Sequence, residues 1–230
     1  MKLIGRISLT LALAACLTSA SAEEQSADYL YSRAIQLSMN GSYLDALEKL
    51  NKALDLDASN TTFLNMKGEL LAFGLGRTEE GLDSFERAIG LDDASYDAWF
   101  NKGLVLANAG RYDDAIVCLD RAARLDPSSY DAWSNLGMAL ANAERLVDAV
   151  ACFERAVNIN PNDPRGYNNL GVVMLAQDNP AEALAYFETA LDKDPYYGVA
   201  YKNMGIALEG MGRNDEAEVA FSQARQLGAS

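Results

Sequence analysis

The chain has 230 residues, of which 50% are hydrophobic and 23% charged. That balance excludes a disordered polar tail, which would be poor in apolar residues. Lys and Arg number 19 against 33 Asp and Glu, a formal net charge of −14, which argues against recognition of a nucleic-acid backbone by clustered basic residues. No histidine is present. His general bases, Ser-His-Asp and Cys-His pairs and His-containing metal sites are removed together. Cysteines stand only at 16, 118 and 152, too few and too dispersed for a zinc site or a disulfide framework.

Residues 1–22 read as a leader. Lys2 and Arg6 form a positive n-region before the apolar run Ile7 to Leu17. The run is too short for a spanning helix, which takes about 20 residues, and suits a signal-peptide h-region. Two exits follow. Ala20-Ser21-Ala22 before Glu23 is an A-x-A cleavage pattern. Leu13-Ala14-Ala15-Cys16 resembles the lipobox of prokaryotic lipoproteins, and that resemblance implies cleavage before Cys16 and lipid on its thiol. Either cleavage removes Lys2 and Arg6 and no acid, so the exported protein is more acidic still and repelled by anionic lipid. Any membrane association must come from a lipid on Cys16. Residues 23–26 are a short linker.

The remainder, 27–230, is one pattern in six copies: 27–60, 61–95, 96–129, 130–163, 164–197 and 198–230. They align on Gly68, Gly103, Gly137, Gly171 and Gly205, at intervals of 35, 34, 34 and 34, with Ala34 in the same place of a degenerate first copy. The fourth copy shows the pattern fully. Trp133, Leu136, Gly137 and Leu140 make one helical stripe, and Ala149, Phe153 and Ala156 a second, before Asn160-Pro161. This resembles the tetratricopeptide (TPR) repeat in motif and in period. The resemblance implies an all-α, right-handed α-solenoid of about six helix-turn-helix repeats.

Physical reasoning supports it separately. Gly137 and Ala149 are small where two helices must cross closely, while Trp133 and Phe153 fill the flanking space. Asp126-Pro127, Asn160-Pro161 and Asp194-Pro195 end the second helices, because proline disfavours the α region for the residue before it. One helical pair cannot bury its stripe alone, so copies should stack. In the last copy, Glu218 and Arg225 replace the apolar residues that face the next repeat in earlier copies, which reads as a polar terminal cap. Copy two has one extra residue in the turn 73–78 and Gly81 where other copies carry Ala, expected to be a tolerated insertion with a weakened helix start, with a functional hinge as the alternative. Cys118 and Cys152 are expected to be unpaired fillers.

No constellation points to catalysis. Carboxylates such as Asp113-Asp114 and Glu79-Glu80 sit where they complement helix N-termini, and no cofactor or metal is expected. The candidate site is instead the face of the first helix opposite its core stripe. Two residues before the aligned Gly stand Asn101, Asn135, Asn169 and Asn203, and one after stand Leu104, Met138, Val172 and Ile206. Stacked copies would align these as an amide ladder beside an apolar strip. In TPR proteins, the resemblance implies, this face lines a concave groove whose Asn side chains hold the backbone of a bound peptide. An amide can pair with backbone C=O and N–H groups whatever the peptide's sequence, but the same Asn could serve helix packing alone. Asp97 and Asp131 would make the groove acidic, and Arg165 and Lys202 its far end basic. The TPR clamp for a C-terminal carboxylate is not reproduced, because Lys202 stands alone and each residue after the Gly is apolar or Glu69.

These readings describe a non-catalytic exported scaffold that binds an extended or helical segment of another protein in its groove. By resemblance, such lipoproteins act as envelope-assembly factors. The alternatives are a structural homo-oligomer and an accessory subunit of an envelope enzyme. The expected location is the periplasm or cell surface, lipid-anchored if Cys16 is modified and secreted otherwise.

Overall fold

The structure, a computed structural model, describes residues 26–229. The leader and Cys16 lie outside the described residues. Those described form twelve α-helices and no strand: α1 (Ala27–Met39), α2 (Tyr43–Leu56), α3 (Thr61–Glu69), α4 (Thr78–Leu91), α5 (Tyr96–Asn108), α6 (Tyr112–Leu125), α7 (Tyr130–Asn142), α8 (Leu146–Ile159), α9 (Pro164–Ala176), α10 (Pro180–Lys193), α11 (Gly198–Gly210) and α12 (Asn214–Gln226). They fall into two compact units, one up to Val105 and one from Leu106 onward. The class is the expected one, all-α helix-turn-helix repeats.

Local chemistry sets the helix ends. Ser26, Asn60, Ser129 and Asp163 accept hydrogen bonds from backbone N–H groups of the first turns of α1, α3, α7 and α9. Each satisfies a donor the helix itself cannot pair. Pro164 and Pro180 occupy the first positions of α9 and α10, where no N–H is needed. Between first and second helices the backbone passes through a left-handed residue. Glycine takes that place at Gly41, Gly110 and Gly212, but Glu144 (φ 61°) and Asp178 (φ 58°) adopt it with a side chain.

In the first unit α1 packs on α2, and α3 on α4. Ala34, Ala46, Leu50, Ala53, Phe63, Leu64 and Ala88 form its core, with Tyr31 stacked on Phe63 at 4.8 Å between ring centroids. Here the structure differs from the expected turn insertion. The extra residue of copy two is absorbed in a π-helical turn, Leu70–Gly74, at the end of α3, with Leu75 N–H donating to Leu70 O at 3.0 Å. The wider turn brings α3's continuation close to α4. A Cβ on Gly81 would lie 2.8 Å from Ala72 Cβ and 2.9 Å from Gly68 O. Gly81 is therefore the residue this close approach requires, and the two departures of copy two are one feature.

In the second unit α7 packs on α8, α9 on α10 and α11 on α12, and successive pairs stack through α6–α7, α8–α9 and α10–α11. The helices approach closely at the aligned Gly, and the Phe expected to flank the crossing lies directly over it: Cβ atoms on Gly137, Gly171 and Gly205 would fall 2.7, 2.5 and 2.5 Å from the rings of Phe153, Phe187 and Phe221. Phe153 and Phe187 are fully buried, each contributing about 1.5–3 kcal/mol by leaving water. Cys118 and Cys152 are both buried, and burial pushes the Cys152 thiol up to about 11, with Asp148 adding to the shift. In α12, Glu218 and Arg225 are exposed and bonded to each other at 2.7 Å.

Candidate functional site

In the second unit, the first helix of each repeat presents the residue after the aligned Gly to solvent. Met138 on α7, Val172 on α9 and Ile206 on α11 are 42, 42 and 44% exposed, although all three are apolar. The helical period explains it, since one step past the buried Gly rotates the residue by about 100°, off the core stripe. Met138, Val172 and Asn169 line one hollow of about 320 Å³, with Ala141, Asn142 and Leu146 beside them.

The Asn residues sit at the edge of this surface, half-buried. Asn169 Nδ2 donates to Ser134 Oγ at 3.5 Å, and Asn203 Nδ2 to Asn168 Oδ1 at 2.8 Å. Each reaches the residue three before the Gly of the preceding repeat. Asn135 Nδ2 instead donates to Asp131 O of its own helix at 2.8 Å. So Asn169 and Asn203 tie repeats together, while Asn135 bonds within its own helix. One such bond uses one of an amide's two N–H groups. The partners Ser134 and Asn168 were missed from sequence. Their signal was a polar residue recurring directly before the ladder position, and both prove buried, at 7 and 4% exposed.

The charges are rearranged relative to a simple gradient. Arg165 donates to Asp163 at 2.7 Å, approaches Asp131 at 3.8 Å and lies 4.9 Å over the ring of Tyr130. Its charge is thus satisfied within the protein. The bonds from Arg165 hold the Asp163 carboxyl below its ordinary range, and burial pushes the Tyr130 phenol up to about 12. Asp131 and Lys202 are exposed on α7 and α11.

The first unit arranges the same positions differently. Asn101 Nδ2 donates to Glu69 Oε1 at 2.7 Å and lies 3.3 Å from Asn65 Oδ1. Asn65 Nδ2 donates to the same Glu69 oxygen at 2.7 Å. Glu69 stands one after Gly68, where the second unit has its apolar strip. Burial raises its pKa above the ordinary value, the two amides oppose that, and nearby Asp97 adds to it. Asp97 is exposed and Leu104 half-buried. Glu69 lines a hollow of about 230 Å³ with Ser38, Tyr43, Met66, Phe73 and the π turn. Among the described residues, no three His, Cys, Asp or Glu side chains gather as a metal site, and no helix is long and apolar enough to cross a membrane.

Paired helices of this period, crossed at a Gly–Phe contact, define the repeat, and models of the tetratricopeptide repeat match residues 66–117 and 106–166, 152–185 and 174–229. The chain belongs to the TPR family. No curated protein sequence matches it. Among solved structures it is similar to PilW, described as a widely conserved type IV pilus biogenesis factor, at TM-score 0.76 and 18% identity over 87% of this chain and 92% of that one. It is similar to PilF of Pseudomonas aeruginosa at 0.73 and 17% over 90 and 93%. It is also similar to YrrB, described as a TPR protein with an unusual peptide-binding site, at 0.62 and 22% over 77 and 91%. At these identities the likeness is one of fold.

Proposed function

We propose that this protein is a non-catalytic scaffold that binds a segment of another protein along the first-helix face of its repeats. The observation that carries the reading is the repeated exposure of Met138, Val172 and Ile206 beside half-buried amides. Exposed apolar residues at one register of successive helices form a strip, and an apolar strip with polar edges is the composition of a protein-docking surface. The occupant we commit to is an extended or helical segment whose apolar side chains enter the hollow at Met138 and Val172. The amides supply backbone pairing that does not depend on its sequence.

The finer reading is an exported envelope-assembly factor, carried on a lipid at Cys16 or released after Ala22. The leader pattern supports export, and the fold shared with PilW, described as a type IV pilus biogenesis factor, supports a role in assembly. The test is affinity capture from envelope extract, with residues 23–230 as bait beside a Met138→Glu, Val172→Glu double variant. A protein held by the wild type and lost by an equally helical variant is expected. Identical capture by both would overturn the strip as the working surface.

A further inference from the structure

We infer that the hollow at the π turn of the first unit is a receptor for a basic side chain, lysine or arginine, of the bound protein segment. The inference rests on the docking reading above and adds the chemistry of one anchor. It stands on the geometry and chemistry of one cavity. Glu69 contributes a carboxylate to the wall of a hollow of about 230 Å³. One of its oxygens, Oε1, is fixed by two amide donors, from Asn65 and Asn101, both at 2.7 Å. Those bonds set the carboxylate's orientation. They bring no positive charge, and no Lys or Arg among the described residues pairs with it.

Around that carboxylate stand aromatic and thioether groups rather than further acids. Tyr43 packs on the π turn, its ring 3.0 Å from where a Cβ on Gly74 would be, and Phe73 lines the same hollow at 49% exposed. Met66 and Leu70 supply the apolar wall. A carboxylate beside aromatic faces and an apolar wall suits a cation on a hydrocarbon stem. The ring quadrupoles attract the charge and the wall covers the methylenes. The half-buried carboxylate also loses solvation that a bound cation would replace, and Asp97 adds negative field nearby. An anionic or purely apolar side chain would gain neither.

The geometry depends on the extra residue of copy two. The π turn Leu70–Gly74 turns Phe73 and Gly74 into the cavity wall, and π turns inside α-helices recur at functional sites. The remaining copies have no such turn among the described residues.

The test titrates N-acetyl-arginine amide and N-acetyl-lysine amide into the 23–230 protein, following the Met66 and Leu70 methyl resonances, with N-acetyl-citrulline amide as the uncharged match in shape. Saturable shifts with the basic amides are expected, weakened about tenfold for citrulline and for Glu69→Gln. The carboxamide oxygen introduced by Glu69→Gln can still accept from the two amides, so folding is preserved and checked by melting. Phe73→Ser, at an exposed position, serves as a second variant and should also weaken binding. Equal binding of citrulline, full retention by Glu69→Gln, or no saturable shift with any probe overturns the inference. None of these results bears on the strip at Met138 and Val172, whose capture experiment fails or succeeds separately.

Discussion

The second unit and copy two of the first build the same repeat with different surface chemistry. In the second unit the residue after the aligned Gly is apolar and exposed, as at Met138, Val172 and Ile206, and the second helix opens on Ala149, Ala183 or Ala217 at its buried contact. In copy two, within the first unit, that residue is Glu69, half-buried between two amides, and the second helix opens on Gly81. One residue more in copy two accounts for much of this. It widens the helix end into a π turn, which forces glycine at 81 by steric approach and opens a cavity beside Glu69. A repeat array can therefore change its surface chemistry at one point without changing the stripe that stacks it.

The largest expected effect breaks that comparison directly. Gly81→Ala restores what every other copy carries at this place, yet its Cβ would meet a backbone oxygen at 2.9 Å, which cannot swing aside as a flexible side group can. Overpacking of this kind costs about 1–3 kcal/mol. Native-state amide exchange, which reads each unit separately, should show α3 and α4 opening more readily and the second unit unchanged. Unchanged exchange in α3 and α4 would mean that the close approach relaxes freely.

Next comes the ladder within the second unit. Asn203→Ala removes the donor that satisfies Asn168, which is 4% exposed, and an orphaned buried amide costs about 1–3 kcal/mol. Asn135→Ala removes only a bond to its own helix, and surface changes of that kind stay within about 0.5 kcal/mol. Denaturant melts of the two variants should differ in that order. Asn135 is then the ladder position at which partner affinity can be read with stability held constant. Equal losses for both would return the whole ladder to packing.

How much of this was legible follows from what a residue pattern encodes. The close approach at Gly137 and the exposed register of Met138 were readable, because both depend on which face a helical period presents. The π turn was not. Counting residues located the insertion at 73–78, but the hydrogen-bond register that absorbs it, from Leu75 back to Leu70, is not encoded by the residue count. Glu69 was visible as an exception after its Gly, and its meaning lay in Asn65 and Asn101, one turn away and one repeat on. Likewise Arg165 read as a groove cation, and only the geometry returns it to Asp163 and Tyr130.

A smaller effect concerns the turns. Glu144 holds a left-handed conformation that costs an ordinary residue about 1–2 kcal/mol, against about 0.5–1 kcal/mol for the entropy glycine loses. Glu144→Gly, matching Gly110 in the preceding repeat, should stabilise the second unit by about 0.5 kcal/mol in the same melts. Asp178→Gly should gain less, since aspartate tolerates this region better. A loss on Glu144→Gly would show that the glutamate stem contributes packing.

The smallest expected effect is one of sign, because Glu69 and Asp163 each retain some solvent contact. Glu69 has a folded pKa raised above its unfolded value by burial. The folded state then binds its proton more tightly, so Glu69 makes stability fall as pH rises from the ordinary carboxylate value through the raised one. Asp163 is opposite. Bonds from Arg165 lower its folded pKa, and its stabilisation is present above the unfolded value and lost as pH falls through the folded one. Glu69→Gln should therefore flatten a decline in first-unit stability with rising pH, and Asp163→Asn should remove acid lability from the second. Amide exchange measured across the mildly acidic range reads both. If Glu69→Gln leaves the first unit's profile unchanged, Glu69 is better solvated than its two amide bonds imply, and the case for a cation beside it weakens with it.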